Sequence, residues 1–232
     1  MQLRKITDKG ARGYFQIGKD EIFIVDWNNG ANTDFIAIDS RKTLRRIDKE
    51  YFAISVIGNN YKDIEEQLPS DIESYQVTKD KKENIYFCFY QEGIIHGFDK
   101  HGNKFLEWDA DEVGQGHPIY DIKYQHPDFL WLAFPTGQTV AQVSISMKKE
   151  AFKIGEYSWE EKYEPLSYPE SIFVNEKYLY IPNMGNSKLF KLELATKKLE
   201  LIETFQEKIW QYGETEIGIF ITTDSGLFEI EK

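Results

Sequence analysis

Apolar residues along the chain fall into short runs that alternate with polar ones and are bounded by Gly, Asn, Asp and Lys. Alternation at period two marks a strand with one face in a core, and no long segment shows the helical period. The stretch "GIIHGFDKHGNKFLEW" (93–108) is two such runs around a tight turn, with Phe98 closing the first and Phe105 opening the second. The pair recurs as Ile145 and Phe152, as Leu192 and Leu199, and one residue closer as Ile38 and Leu44. Phe98, Ile145 and Leu192 are evenly spaced by 47 residues, and the longer gap after Ile38 holds an insertion around "GNNYKDIEEQLPS". Such a period is that of a repeated four-stranded unit.

Two further strand-like runs precede each hairpin. The innermost are "YFQIG", "YQVT", "IYDIKY", "SIFV" and "KIWQY"; the second are "EIFIVDW", "NIYFCFY", "FLWLAF", "YLYIPN" and "IGIFIT". The second runs are almost continuously apolar, as expected when both faces of a strand are buried. The fifth copy stops after three strands, while "MQLRKI" at the start has no partner of its own. Pairing it with "GLFEIEK" closes a ring and removes the open edge.

The prediction is therefore an all-β, five-bladed β-propeller of four-stranded antiparallel blades: 11–50, 72–110, 117–157, 168–205, and 207–232 completed by 1–7. It forms one domain over 1–232, with an insertion at 49–71. A sixth, degenerate blade hidden in the insertion is the alternative, since "YFAISVIG" is strand-like but solitary. Gly and Pro flank the middle of the insertion, which is expected on the surface and mobile, with "YKDIEEQL" as a short amphipathic helix. The hairpins "GIIHGFDKHGNKF" and "SKLFKLELATKKLEL" resemble the outer hairpins of quinoprotein-like, NHL-like and YVTN-type repeats of the β-propeller superfamily. That pattern is an apolar-x-x-apolar-Asp strand followed by a Gly- or Lys-bearing turn. The Trp-Asp and Gly-His signatures of WD40 blades are missing.

Composition narrows the function classes. Aromatics at 15% of the 232 residues favour a well-filled β core, and the formal net charge of −11 argues against a phosphate-backbone partner. Arg41, Lys42, Arg45 and Arg46 form the one basic cluster, set among acidic neighbours, and read as a solvated edge. No stretch has the length of an apolar membrane span or a secretory h-region, so a soluble chain without a membrane partner is expected. Cys88, the single cysteine, excludes an internal disulfide or a Cys-based zinc site. That suits the cytoplasm, a secreted mature form being the other possibility. No cofactor motif is present: the glycines form neither a P-loop nor a dinucleotide fingerprint, and no G-x-S-x-G occurs.

The resemblance implies that ligands bind on one face, at the channel mouth, where second-to-third-strand turns meet the connections between blades. That face would carry Trp27, Asn28, Asn29, His117, Tyr168, Glu170, Asn183, Asn186 and Asp224. Asn, Gly and Asp are also what β-turns demand for backbone reasons. Asp26, Asn28 and Asp34 supply oxygen donors around a turn but miss the calcium-loop pattern, so no metal is expected. His96, His101 and His126 show no ligand-like pairing, whereas His117 precedes an innermost strand and is the best placed for ligand contact or proton transfer. Five-bladed propellers include glycoside hydrolases with acids at the channel ends of innermost strands. Asp121, Glu170 and Glu207 fall near such positions, with His117 beside them. The leading expectation is a non-catalytic binding module for a protein or small ligand, a carbohydrate among the candidates. The alternatives are an enzyme acting on glycosidic, ester or lactone bonds and a purely structural interaction platform.

Overall fold

The computed structural model describes residues 1–10, 13–18, 20–28, 32–89, 93–157 and 165–231. An opening strand, β1 (Gln2–Thr7), is followed by blade one: β2 (Gly13–Ile17), β3 (Ile22–Asn28), β4 (Asn32–Ile38) and β5 (Leu44–Ile47). Helices α1 (Lys49–Val56) and α2 (Tyr61–Glu65) lead into blade two, made of β6 (Tyr75–Lys79), β7 (Ile85–Phe89), β8 (Ile94–Phe98) and β9 (Lys104–Asp109). A single helical turn, α3 (Asp111–Gly114), precedes blade three: β10 (Asp121–Gln125), β11 (Phe129–Phe134), β12 (Thr139–Ser144) and β13 (Lys149–Ile154). Blade four is β14 (Phe173–Val174), β15 (Tyr178–Asn183), β16 (Lys188–Glu193) and β17 (Leu199–Thr204). Blade five holds β18 (Ile209–Thr215), β19 (Gly218–Thr223) and β20 (Gly226–Glu231), with β1 as its outer strand.

The closure expected from the sequence is present. β1 pairs antiparallel with β20, Gln2 opposite Glu231 and Leu3 opposite Ile230, and Arg4 forms an ion pair with Glu229 across the seam. The molecule is a five-bladed β-propeller.

The second strand of each blade shows why the alternation reads as it does. All five residues of β7 are buried: Ile85, Phe87 and Phe89 face blade one, and Tyr86 and Cys88 face blade three. In β11, Leu130, Leu132 and Phe134 face blade two while Trp131 and Ala133 face blade four. Among the described residues the core divides into five clusters, one at each junction between neighbouring blades. Each fully buried aromatic or aliphatic side chain contributes about 1.5–3 kcal/mol, so the junctions hold the ring together.

The innermost strands are also stitched by side-chain hydrogen bonds at every junction. Gln211 Oε1 accepts from the Phe15 N–H at 2.6 Å, and the Gln16 amide donates to Gln76 Oε1 at 3.2 Å. Thr78 Oγ1 accepts from the Tyr124 N–H at 3.0 Å, Asp121 Oδ2 from the Ile172 N–H at 2.8 Å, and Ser171 Oγ donates to the Trp210 carbonyl at 2.8 Å.

The outer hairpins owe their repeated form to turn chemistry. Asp39 and Asp99 each accept two backbone N–H groups from the turn that follows. The left-handed position is taken by Lys42, Gly102, Lys148 and Lys197, with φ from 48° to 85°. Lys42 and Lys197 then reach the neighbouring blade, their ammonium groups lying 4.7 Å from the Phe220 ring and 5.2 Å from that of Trp131.

The insertion departs from expectation. "YFAISVIG" is not a solitary strand: it forms α1, whose Asp48 cap accepts the Tyr51 N–H at 2.7 Å, and no sixth sheet occurs among the described residues. Nor does the segment lie on the surface. Phe52, Ala53 and Val56 from α1, Ile57 that caps it, and Tyr61 and Ile64 from α2 enter the core between blades one and two. Phe52 sits 5.1 Å from Phe35 and 6.0 Å from Phe23, ring centre to ring centre. The one part read as helical, "YKDIEEQL", contains α2.

Candidate functional site

Antiparallel order brings the second-to-third-strand turns and the blade connections to one end of the ring, and the sequence candidates fall on that end. Trp27 and Asn28 close β3, their side chains lying outside the description, and Asn29 is outside the described residues. Asp26 and Asp34 are cross-strand partners, with the Lys9 ammonium 3.4 Å from one and 3.7 Å from the other and Arg46 3.3 Å from Asp34. A lysine and an arginine thus provide the positive charge there. Three members of the basic cluster pair within the molecule, Arg45 with Glu21, Arg46 with Asp34 and Lys42 with Glu229, and the two arginines stay exposed as on a solvated edge.

Several candidates are fasteners. Asn183 is fully buried, accepting the Ser167 N–H at 2.9 Å and donating to the Ile181 carbonyl at 3.0 Å. Tyr168 adopts φ 56° and its carbonyl accepts the Met184 N–H, so its backbone shapes the same corner. Glu207 accepts both the N–H and the hydroxyl of Ser225, bracing the blade-five turn, while Asp224 accepts the Trp210 indole N–H at 2.9 Å. Asn186 Oδ1 accepts the Lys188 N–H at 3.3 Å, and its Nδ2 is buried with no hydrogen-bond partner. Asp121, 1% exposed, accepts from the Ile122 and Ile172 N–H groups at 2.8 Å each and pairs with Lys123. Burial pushes its carboxyl above the usual range, Lys123 and the backbone donors opposing. The Cys88 thiol is buried and pushed well up, as its apolar strand implies.

Glu170 differs from these. Burial pushes its carboxyl up to about 7, with Lys208 pulling the other way. It stands two residues before Ile172, whose N–H is held by Asp121 across the junction of blades three and four.

His117 sits in a true concavity. α3 ends in a left-handed Gln115 (φ 53°) followed by Gly116 (φ 81°), and this reversal turns the chain so that the His117 N–H bonds the Gly114 carbonyl. Its Nδ1 lies 3.0 Å from Thr136 Oγ1 and its ring centre 4.9 Å from that of Tyr157. Gly137 packs closely beneath the ring, where a Cβ would meet His117 Cδ2 at 3.0 Å. The cavity, about 350 Å³, is lined by Gln115, His117, Thr139, Lys153, Glu156 and Tyr157 among others. Only His117 was singled out from sequence. Tyr157 begins a connection between blades and Thr139 ends a second-to-third-strand turn, both of the kind expected on this face, whereas Lys153 belongs to a strand whose period gives no hint of a pocket.

A second cavity, about 310 Å³, is the central channel, lined by residues of all five innermost strands, including Gln16, Val77, Asp121, Ile172 and Gln211. The four acid-base candidates do not come together in either of these cavities. Asp121 lines the channel, His117 lines the blade-three pocket, and Glu170 and Glu207 line neither. Among the described residues no helix is long and apolar enough to cross a membrane.

No protein-family model matches the chain, and no curated protein matches it in sequence. Solved structures do resemble it. Myxococcus xanthus glutaminyl cyclase superposes with a TM-score of 0.54 at 9% identity, over 100% of this chain and 94% of that one. Virginiamycin B lyase from Staphylococcus aureus gives 0.53 at 14%, over 93% of this chain and 64% of the lyase, and a streptogramin B lyase gives 0.53 at 10%, over 100% and 74%. The chain thus spans a little under two thirds of the virginiamycin B lyase. The likeness is one of fold. A propeller of this kind hosts unrelated activities, so function rests on the site.

Proposed function

We propose that this propeller is a non-catalytic binding module that seats a small polar ligand, a carbohydrate by preference, in the blade-three pocket on the turn-bearing face. The observation that carries the reading is the 350 Å³ cavity in which His117 and Tyr157 present ring surface beside the charged and amide groups of Lys153, Glu156 and Gln115. Pockets of this size hold small ligands, and a ring next to convergent donors and acceptors suits a sugar's apolar face and hydroxyl edge. The commitment of Asp121 and Glu207 to structural hydrogen bonds supports binding without chemistry. Saturation-transfer NMR against simple methyl glycosides tests it. Tyr157→Ala and His117→Ala should each abolish the transfer, while Glu207→Gln leaves it intact. A ligand that binds Tyr157→Ala as well as the parent chain would refute the site.

One observation favours a second reading, a hydrolase for glycosidic, ester or lactone bonds. Glu170 has a carboxyl pushed by burial up to about 7, near neutrality, where a general acid works best. Under this reading the chain turns over a nitrophenyl glycoside or ester, and Glu170→Gln abolishes turnover. Absence of turnover across such substrates leaves the binding module as the account.

A further inference from the structure

The channel is chemically unlike the rest of this acidic molecule. Its lining holds two lysines, Lys79 and Lys123, against a single carboxylate, Asp121, in a chain of formal net charge −11. That carboxylate offers little to a ligand, since Oδ1 already takes the Ile122 N–H and Lys123 while Oδ2 takes the Ile172 N–H. Donors remain. An ammonium carries three protons, so Lys123 keeps two beyond its bond to Asp121. Gln211 uses its oxygen for the Phe15 N–H and keeps its amide N–H₂, and the Thr78 oxygen accepts the Tyr124 N–H while its hydroxyl proton stays free to turn.

Lys79 closes β6 at the opposite end of the ring from the turn-bearing face, and among the described residues no carboxylate lies within ion-pair distance of it. The residue is exposed, at the rim of the cavity, so its ammonium is open to a ligand entering from that end. The wall around these donors is apolar, with Ile17, Val77, Ile172, Phe173 and Val174 lining the same cavity.

We propose that the central channel is a second binding site, distinct from the blade-three pocket, for a small organic acid: a carboxylate held by Lys79 and Lys123 with an aliphatic body against Val77, Ile172 and Val174. The chemistry specifies a charged head and an uncharged, compact tail, because the cavity holds about 310 Å³ and its lining combines two lysines with an aliphatic wall. Inorganic phosphate would satisfy the lysines but leave the apolar wall bare.

Hexanoate titrated into the isotopically labelled protein is the test, read by amide shifts. Saturable shifts are expected at Val77, Thr78, Ile172 and Val174, with hexanamide, the uncharged equivalent, binding at least about tenfold more weakly. Lys79→Met should weaken hexanoate by a similar factor and Lys79→Arg should keep it. Equal binding of hexanoate and hexanamide, shifts confined to His117 and Tyr157, or no saturable shift at all would overturn the site. Should Lys79→Met fail to fold, the hexanoate–hexanamide contrast on the unaltered chain decides alone.

Discussion

His96 is 4% exposed and neither ring nitrogen has a hydrogen-bond partner. It faces Glu107 across β9, whose carboxylate lies 3.9 Å away, with Lys104 on the same strand and the Tyr75 ring 6.4 Å off. Burial and Lys104 hold its pKa below the ordinary 6.5, against Glu107. The folded state therefore binds fewer protons here than the unfolded one, so the His96 contribution is intact above about pH 6.5 and declines as pH falls through the lowered folded value. His96→Phe should remove that part of the acid sensitivity, measured as denaturant midpoints on both sides of the window. Glu170 acts with the opposite sign. Its folded pKa of about 7 lies above the ordinary 4.5, so its contribution is lost as pH rises from about 4.5 through 7. Glu170→Gln should be more stable than the parent at about pH 8 and indistinguishable at about pH 4; the same midpoints read this out. Asp121→Ala strips partners from the Ile172 N–H and from Lys123 in a buried setting and should cost about 3–5 kcal/mol, whereas a surface acid would cost little. None of these roles was legible along the chain. Asp121 lies at the right end of an innermost strand for a catalytic acid, and only packing against blade four reveals it as a link between blades.

At the scale of elements, the pattern of alternation located the strands well because each second strand is buried on both sides, which leaves a run of apolar residues that no loop imitates. The spacing of the outer hairpins was legible for a separate reason: an Asp that accepts two N–H groups and a residue at positive φ are local requirements, met within the turn itself. The insertion was legible only in part. Phe52, Ala53, Val56 and Ile57 form a helical stripe, but "YFAISVIG" also alternates well enough to pass as a strand, and the choice is made by Phe23 and Phe35 of blade one, distant in sequence. The insertion is accordingly a wedge in the junction and not an appendage. Phe52→Ala should cost about 3–5 kcal/mol in a chemical unfolding experiment, the cost of a buried cavity. A solvated lid would show almost no change.

The whole molecule depends on closure. Five junction clusters and five inter-blade hydrogen-bond links form a circuit, and the blade-three pocket and the channel both lie at positions that the circuit fixes. The ring was foreseeable from an unfinished last blade and an unpaired first strand; the channel's charge was not, since Lys79 and Lys123 come to line one cavity only after the strands close. Native-state hydrogen exchange on β1 tests this most directly. The account expects the β1 amides that face β20 to exchange as slowly as their partners between Gly226 and Glu231. Exchange of β1 at the rate of free chain, with β20 still protected, would contradict the closed ring and with it the placement of both proposed sites.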